Sequence, residues 1–502
     1  MTFAKLLTLR PQSVPKTAGF WQRLARVARG NSVFPMKSIE FLHSRLDAQT
    51  VDESAVTIRS DELVAITDGG HWRPLNGLQK MMLRWESFHP LNAAHLLTLA
   101  GQPDVASVRN AVHAAVQWFL PGPVEFSGDG CSFRCLTEQS PQSYIQLDFH
   151  TSGQQPPEQF TNALLQTELN RRFPEESSSP FRFHIVTTGA NRWYLLIIYR
   201  HVIQYSRATT ALARCILRHL RGAVPTDAAP PGIARELSTL IPNFERDGSL
   251  GKTLPRVLRE ICCGCISWRA PRCFAKPDVL VPDTDSELLP LSDVRLTARD
   301  FGVTVHDLLL SATHEAIEET VCRSGFRRRI GLYTPVDLRH ETIPPVPEAS
   351  GQILGGYTLR PRRRRGQSFA DFVRQMAAET QQIKRSGVYR FYERHLEFMS
   401  NIWDCLPRWG NRVAGPGLVP VSALVSNVNL NTFLCDELAS GQLQRYSRYT
   451  GTGIMTSMML GLTTCGNTLE VSSTHHSVLF SQEQAAAIRQ RVRYRLLGGR
   501  NN

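Results

Sequence analysis

Apolar residues recur at regular spacing along most of the chain after residue 70. A period of three to four residues predicts helices at 75–85, 104–112, 157–173, 206–221, 303–322, 368–386 and 482–496. Short apolar or alternating runs predict strands at 95–99, 144–150, 181–186, 193–199, 329–336, 351–359, 418–429, 455–462 and 467–473. Strands and helices alternate in both halves of the chain, which favours an α/β or α+β fold.

The same pattern suggests a division of the chain into four parts. Residues 1–59 show no sustained periodicity and predict a flexible basic leader. Residues 60–224 and 286–502 repeat one style of alternation, so we expect an N-terminal and a C-terminal lobe of similar build. Residues 225–285 are richer in proline and glycine and suit a crossover between the lobes. Two lobes that face each other would enclose a cleft, where ligands commonly bind.

Composition adds three constraints to this picture. About 42% of the 502 residues are hydrophobic, enough to bury a core and to exclude a disordered chain. No apolar run approaches the ~20 residues that a membrane-spanning helix needs. The eleven cysteines are an odd number in a long chain, and no secretory signal pattern is present. We therefore expect a cytoplasmic protein with reduced thiols. A resident cofactor or metal is not expected either.

The net charge of +13 is concentrated in a few segments. Residues 1–38 carry basic residues and no acid, residues 250–276 carry six basic groups against Glu260, and a third run contains Arg360 and 362–365. These segments suit a solvated surface, peripheral binding to anionic lipid through 250–276 and 1–38, or, for the N-terminus, a transit peptide. No nucleic-acid-binding motif accompanies the charge, so nucleic acid is not expected as a partner.

One histidine stands where chemistry could occur. The apolar strand predicted at 193–199 ends at Arg200-His201, and a helix begins about five residues later. An imidazole held at a strand end can accept a proton from a hydroxyl, amine or thiol that attacks a carbonyl. Taken alone, one histidine among fifteen is more simply a packed or surface residue.

This stretch resembles the condensation-domain and chloramphenicol-acetyltransferase-like acyltransferase superfamily. That superfamily, which includes peptide-synthetase condensation domains and alcohol or wax-ester acyltransferases, carries His-His-x-x-x-Asp-Gly between a strand and a helix. Residues 200–206 keep the second histidine of the motif, as His201. Further similar segments follow in the family's order over about 70–498: 74–85 with Gln79, 304–310, 335–339, 351–358, 425–427 and 479–481. The resemblance implies two similar lobes that form a V-shaped pseudo-dimer with His201 at the cleft between them.

The resemblance also assigns roles to individual residues. His201 would be the general base, and Asn427 or a nearby backbone amide would stabilise the oxyanion. The motif's aspartate is replaced by Tyr205 and its glycine by Ser206. In the family that aspartate ion-pairs with an arginine, for which Arg339 is the candidate here, and losing half of such a pair costs ~3–5 kcal/mol unless the surroundings change. Arg200 replaces the first histidine, and its charge would depress the pKa of His201.

The implied activity is transfer of an acyl group from a thioester to a hydroxyl or amine acceptor. The donor would be acyl-CoA or an acyl group on the phosphopantetheine arm of a carrier protein, and the enzyme would act as a monomer. Because the motif is degenerate, a non-catalytic binding or interaction module is the alternative. That alternative predicts no turnover with any donor.

Two other constellations are weaker. Cys262, Cys263, Cys265 and Cys273 lie within twelve residues, but their spacing lacks the two Cys-x2–4-Cys pairs of a structural zinc site. Apolar filling or thiol modification are the other readings of that cluster. His475-His476 follows a predicted strand and is interpreted as the second lobe's counterpart of the His201 strand end. Serine hydrolase, NTPase, dinucleotide-binding and zincin motifs are absent from the sequence.

Overall fold

A computed structural model describes residues 70–223, 278–321, 330–342, 352–411 and 421–499, less short gaps at 121, 137–138, 176–177, 189–190, 285–287, 408–409 and 454–455. Contacts divide the chain into 1–59 and 60–502, and all described residues belong to the second unit. The basic segments 1–38 and 250–276 and the cysteine cluster at 262–273 lie outside the described residues. None of the described helices is both long and apolar enough to cross a membrane.

Helices and strands alternate as the apolar pattern predicts, which confirms the mixed α/β class. The helices are α1 Gly77–Glu86, α2 Val105–Phe119, α3 Pro141–Tyr144, α4 Pro157–Asn170, α5 Ser206–Leu220, α6 Leu291–Asp300, α7 Val305–Val321, α8 Phe369–Ser386, α9 Tyr392–Cys405, α10 Cys435–Ala439 and α11 Gln482–Leu496. The strands are β1 Arg73–Pro74, β2 Asn92–Ala100, β3 Val124–Phe126, β4 Ser132–Cys135, β5 Gln146–Thr151, β6 Phe181–Thr187, β7 Arg192–Arg200, β8 Leu280–Thr284, β9 Leu289–Pro290, β10 Leu332–Asp337, β11 Leu354–Leu359, β12 Val421–Asn429, β13 Leu443–Thr450, β14 Thr456–Cys465 and β15 Thr468–His476.

Helix starts follow from capping side chains. Asn76 and Ser481 each form a capping box with a glutamine three residues later, at the starts of α1 and α11. Asp104 accepts a hydrogen bond from the backbone N–H of Ser107 and so begins α2. The predicted strand at 144–150 begins later than expected, because Pro141 at the first helical position starts the one-turn helix α3.

Two large sheets organise the described residues. The first has the order β13-β2-β7-β6-β5, and the second runs β11-β10-β12-β14-β15-β8 with β9 also paired to β15. A small sheet, β1-β4-β3, accompanies them. Strand β13 comes from the second half of the chain but pairs antiparallel with β2 of the first half. The next strand, β14, returns to the second sheet, so the chain passes directly from one sheet to the other between residues 450 and 456.

The cores lie on the faces of these sheets. One face of the first sheet packs on α2 and α5, and its other face packs on α4. The second sheet packs on α6, α7, α8 and α11. A third apolar cluster joins the halves through α1 and α9, and includes Val202, directly after His201. The loop that carries His201 is therefore fixed from both halves of the chain.

Candidate active site

His201 lies in the turn that directly follows β7. Its backbone N–H donates to the carbonyl of Leu91 at 3.2 Å, and the N–H groups of Ile203 and Gln204 donate to the carbonyl of Arg200 at 3.1 Å. Two glutamine side chains fix the turn from outside. The Nε2 of Gln79 donates to the carbonyl of Val202 at 3.0 Å, and the Nε2 of Gln352 donates to the carbonyls of His201 and Val202. The imidazole is thus held on a tightly bonded backbone.

The hydrogen bonds of His201 define its tautomer. Its Nδ1 lies 2.9 Å from the carbonyl oxygen of Gln204, which can only accept a hydrogen bond, so Nδ1 carries the proton. In the neutral ring Nε2 then keeps a lone pair. Burial lowers the pKa of His201 below its usual value near 6.5, so the ring is neutral at pH 7.

Arg200 does not supply the charge that the sequence suggested beside His201. Its guanidinium forms a buried ion pair with Glu86 of α1, with Nη2 and Oε2 2.6 Å apart. The guanidinium also lies over the ring of Phe126, 4.5 Å from its centroid. Burial, rather than Arg200, is therefore the main cause of the lowered pKa of His201.

Tyr205 and Arg339 are in contact, and the contact is a cation–π interaction. The guanidinium of Arg339 lies 4.3 Å from the ring centroid of Tyr205, and both residues are buried. Arg339 also ion-pairs with Asp337, with Nη1 and Oδ1 3.0 Å apart. The other oxygen of Asp337 bonds Arg207 of α5. Arg339 therefore has a carboxylate partner in Asp337, although position 205 carries no carboxylate.

A cavity of about 350 Å³ lies beside His201 and Tyr205. His201, Tyr205 and Asn427 all line it, together with apolar side chains such as Leu78, Met82 and Trp85. Its volume and mostly apolar wall are typical of a small-molecule site. Asn427 lies on β12 opposite Leu462 of β14, and its side chain makes no hydrogen bond within the described residues. Its amide is therefore available to a ligand.

Further polar residues in the cavity were not identified from the sequence. His306, in the first turn of α7, has its Nε2 3.3 Å from Oγ1 of Thr334, and burial lowers its pKa to about 4. Ser206 and Arg448 also line the cavity. The sequence signal for His306 was its place at the start of a predicted helix, whereas Arg448 lies on a strand that was not predicted.

His475 and His476 are not among the residues that line the cavity. The Nδ1 of His476 lies 2.5 Å from Oδ2 of Asp278, and its Nε2 lies 2.8 Å from the carbonyl oxygen of Gly453. Burial lowers the pKa of His475 to about 4. Both histidines lie at the end of β15 and are buried.

Comparison with known proteins gives no match by sequence and many by structure. No protein-family model and no curated protein matches the sequence. Among solved structures, the first condensation domain of the calcium-dependent antibiotic synthetase is similar over 86% of this chain and 98% of its own, with a TM-score of 0.62 at 14% identity.

Two further structures extend this likeness. The starter condensation domain of rhizomide synthetase, in complex with C8-CoA and Leu-SNAC, is similar over 85% of this chain and 94% of its own, with a TM-score of 0.58 at 15% identity. The epimerization domain from the third module of tyrocidine synthetase B is similar over 85% and 96%, with a TM-score of 0.58 at 12% identity. The resemblance predicted from the sequence is confirmed at the level of fold: this chain has the fold of condensation domains.

Proposed function

We propose that the protein is a condensation-type acyltransferase that moves an acyl group from a CoA or carrier-protein thioester to a hydroxyl or amine acceptor. The observation that carries this proposal is the Nδ1 contact of His201 with the carbonyl of Gln204. It leaves Nε2 as a proton acceptor in a ring that burial keeps neutral. A neutral imidazole fixed in one tautomer is what a general base requires.

In the proposed reaction, Nε2 of His201 takes the proton from the acceptor as its oxygen or nitrogen attacks the thioester carbonyl. The resulting oxyanion accepts a hydrogen bond from the side-chain amide of Asn427. The carbon–sulfur bond then breaks, and the imidazolium returns the proton to the departing thiolate. The residues of the cavity thus balance the proton without a metal or a second base.

The changed motif is compatible with this mechanism because the loop remains anchored. Arg339 keeps both an aromatic and an acidic partner, in Tyr205 and Asp337. The turn at His201 keeps its backbone bonds and both glutamine anchors. Replacement of the aspartate therefore does not by itself remove the support of the base.

The test is a search for products with a panel of isotopically labelled acyl-CoA and acyl-carrier-protein donors and a cell extract as the acceptor source. Mass spectrometry should detect a labelled product with the wild-type chain, and H201A should reduce its formation by ~10²–10⁴-fold. H340A is the matched control, because the His340 side chain is 69% exposed and does not line the cavity. Unchanged transfer by H201A would refute the mechanism. The absence of product with every CoA and carrier-protein donor would favour the non-catalytic module.

A further inference from the structure

Arg448 is a buried cation in the wall of the cavity. It lies on β13, opposite His95 of β2, and only 2% of its surface is exposed. Three of its five N–H groups are used within the protein. Nε donates to Oγ1 of Thr463 at 3.1 Å, Nη1 to Oγ of Ser206 at 2.9 Å, and Nη2 to the carbonyl of Leu462 at 3.3 Å.

All three of these partners are neutral. Among the described residues, no carboxylate lies within ion-pairing distance of Arg448. Burial lowers the pKa of Arg448 to about 10, which leaves it fully charged at pH 7. The charge of Glu470 opposes this lowering of the pKa, but Glu470 is itself paired with Arg445 at 2.5 Å. A buried charge without a counter-ion is costly, so its retention at a ligand cavity needs a reason.

The other charges in the cavity wall do not offset Arg448. The remaining lining residues that are charged at neutral pH are Arg207 and Asp337, which pair with each other. His306 is neutral because burial lowers its pKa to about 4. Among the described residues of the cavity wall, Arg448 is therefore the charged side chain without a charged partner.

The guanidinium is also held rigidly in place. Oγ of Ser206, which accepts from Arg448, lies 3.1 Å from Nε2 of His95, and Nδ1 of His95 lies 2.7 Å from the hydroxyl of Tyr446. Burial and the charge of Arg448 hold the pKa of His95 well below its usual value, so this network adds no second cation. A rigid guanidinium with two remaining N–H groups matches the planar, bidentate geometry of a carboxylate.

We infer that Arg448 binds the free carboxylate of the acceptor, which makes the acceptor class a small hydroxy acid or amino acid. This inference rests on the proposed function, because it concerns the acceptor of that reaction. An acyl group in a thioester has no free carboxylate at its reacting end, and an aminoacyl group tethered to a carrier has lost its own. A free hydroxy acid or amino acid keeps its carboxylate for Arg448 and can still present its hydroxyl or amine to His201. One monovalent cation matches a carboxylate better than a phosphate dianion.

Calorimetric binding of octanoate and octanamide to the full chain tests this inference without any turnover. A failure of the proposed acyl transfer therefore stays distinguishable from a failure of the subsite. Wild-type protein should bind octanoate about ten- to a hundredfold more tightly than octanamide, as a charge-assisted hydrogen-bonded pair predicts. R448Q should remove this preference, and R448K should retain part of it. R448K also serves if R448Q does not fold.

R445K is the matched control, because Arg445 lies on the same strand and does not line the cavity, and a lysine keeps the positive charge beside Glu470. This variant should keep the full preference for octanoate. Equal affinity of the wild type for the two ligands would overturn the inference, and so would an undiminished preference in R448Q. Inorganic phosphate that displaces octanoate at equal concentration would overturn the choice of carboxylate over phosphate.

Discussion

Tyr205 stands where the resembled motif has an aspartate, and its partner is still an arginine, Arg339. The chain places an aromatic ring under Arg339, 4.3 Å from the guanidinium. Asp337 forms an ion pair with the same guanidinium. The arginine is therefore supported by a quadrupole and a carboxylate rather than by one ion pair.

This arrangement predicts different effects for two substitutions at the same site. Y205F keeps the ring and should change the free energy of unfolding by less than about 1 kcal/mol. Y205L removes the cation–π contact and leaves a gap, so it should cost about 1–3 kcal/mol. Urea denaturation of both variants measures the difference. Equal stability of Y205L and Y205F would show that the ring contributes nothing to holding Arg339.

At the scale of elements, strand β13 carries Arg448 into the cavity wall, and the sequence did not predict this strand. Its sequence, LQRYSRYT, carries two arginines and shows no simple alternation. The strand is nevertheless mostly buried, because β2 pairs along one edge while β14 and β15 pack close by. Its burial depends on contacts with residues some 350 positions earlier, which local pattern cannot reveal. Helix α11 was predicted at its observed bounds because its capping signal is local. The cap at Asp104 likewise gave the start of α2, but the helix ends seven residues beyond the predicted segment.

The passage from β13 to β14 depends on close backbone contact. A Cβ added to Gly451 would lie 2.7 Å from the carbonyl oxygen of Asn92, and the N–H of Gly451 donates to that same oxygen at 2.8 Å. G451A should therefore destabilise the fold by about 1–3 kcal/mol, since the backbone must move apart. Thermal and urea unfolding check this.

The control for this substitution is G128A. Gly128 has open space around its Cβ position and no positive φ, so the change should be neutral or slightly stabilising. Equal unfolding free energies for G451A and G128A would contradict the importance of the close approach.

At the scale of the whole molecule, the site is assembled from distant parts of the chain. His201 follows β7, Asn427 lies on β12 and Arg448 on β13, yet all three line one cavity. His201 was found from the sequence because a motif surrounds it. The sequence identified Asp337 only as part of the family-like segment 335–339. Arg448 lies in no motif and in no predicted element, so the sequence did not indicate it as a site residue. The leader, the crossover cysteines and the basic membrane-binding segments lie outside the described residues and stay predictions.

The central claim is that neutral His201 is the base of acyl transfer, and the pH dependence of kcat/KM tests it most directly. Because burial lowers its pKa, His201 remains competent as pH falls and loses activity only on protonation. Wild-type kcat/KM should therefore fall on the acidic side with an apparent pKa below 6.5, and H201Q should lose that limb along with ~10²–10⁴-fold of the rate. An H201Q variant that keeps both the rate and the acidic limb would contradict the account.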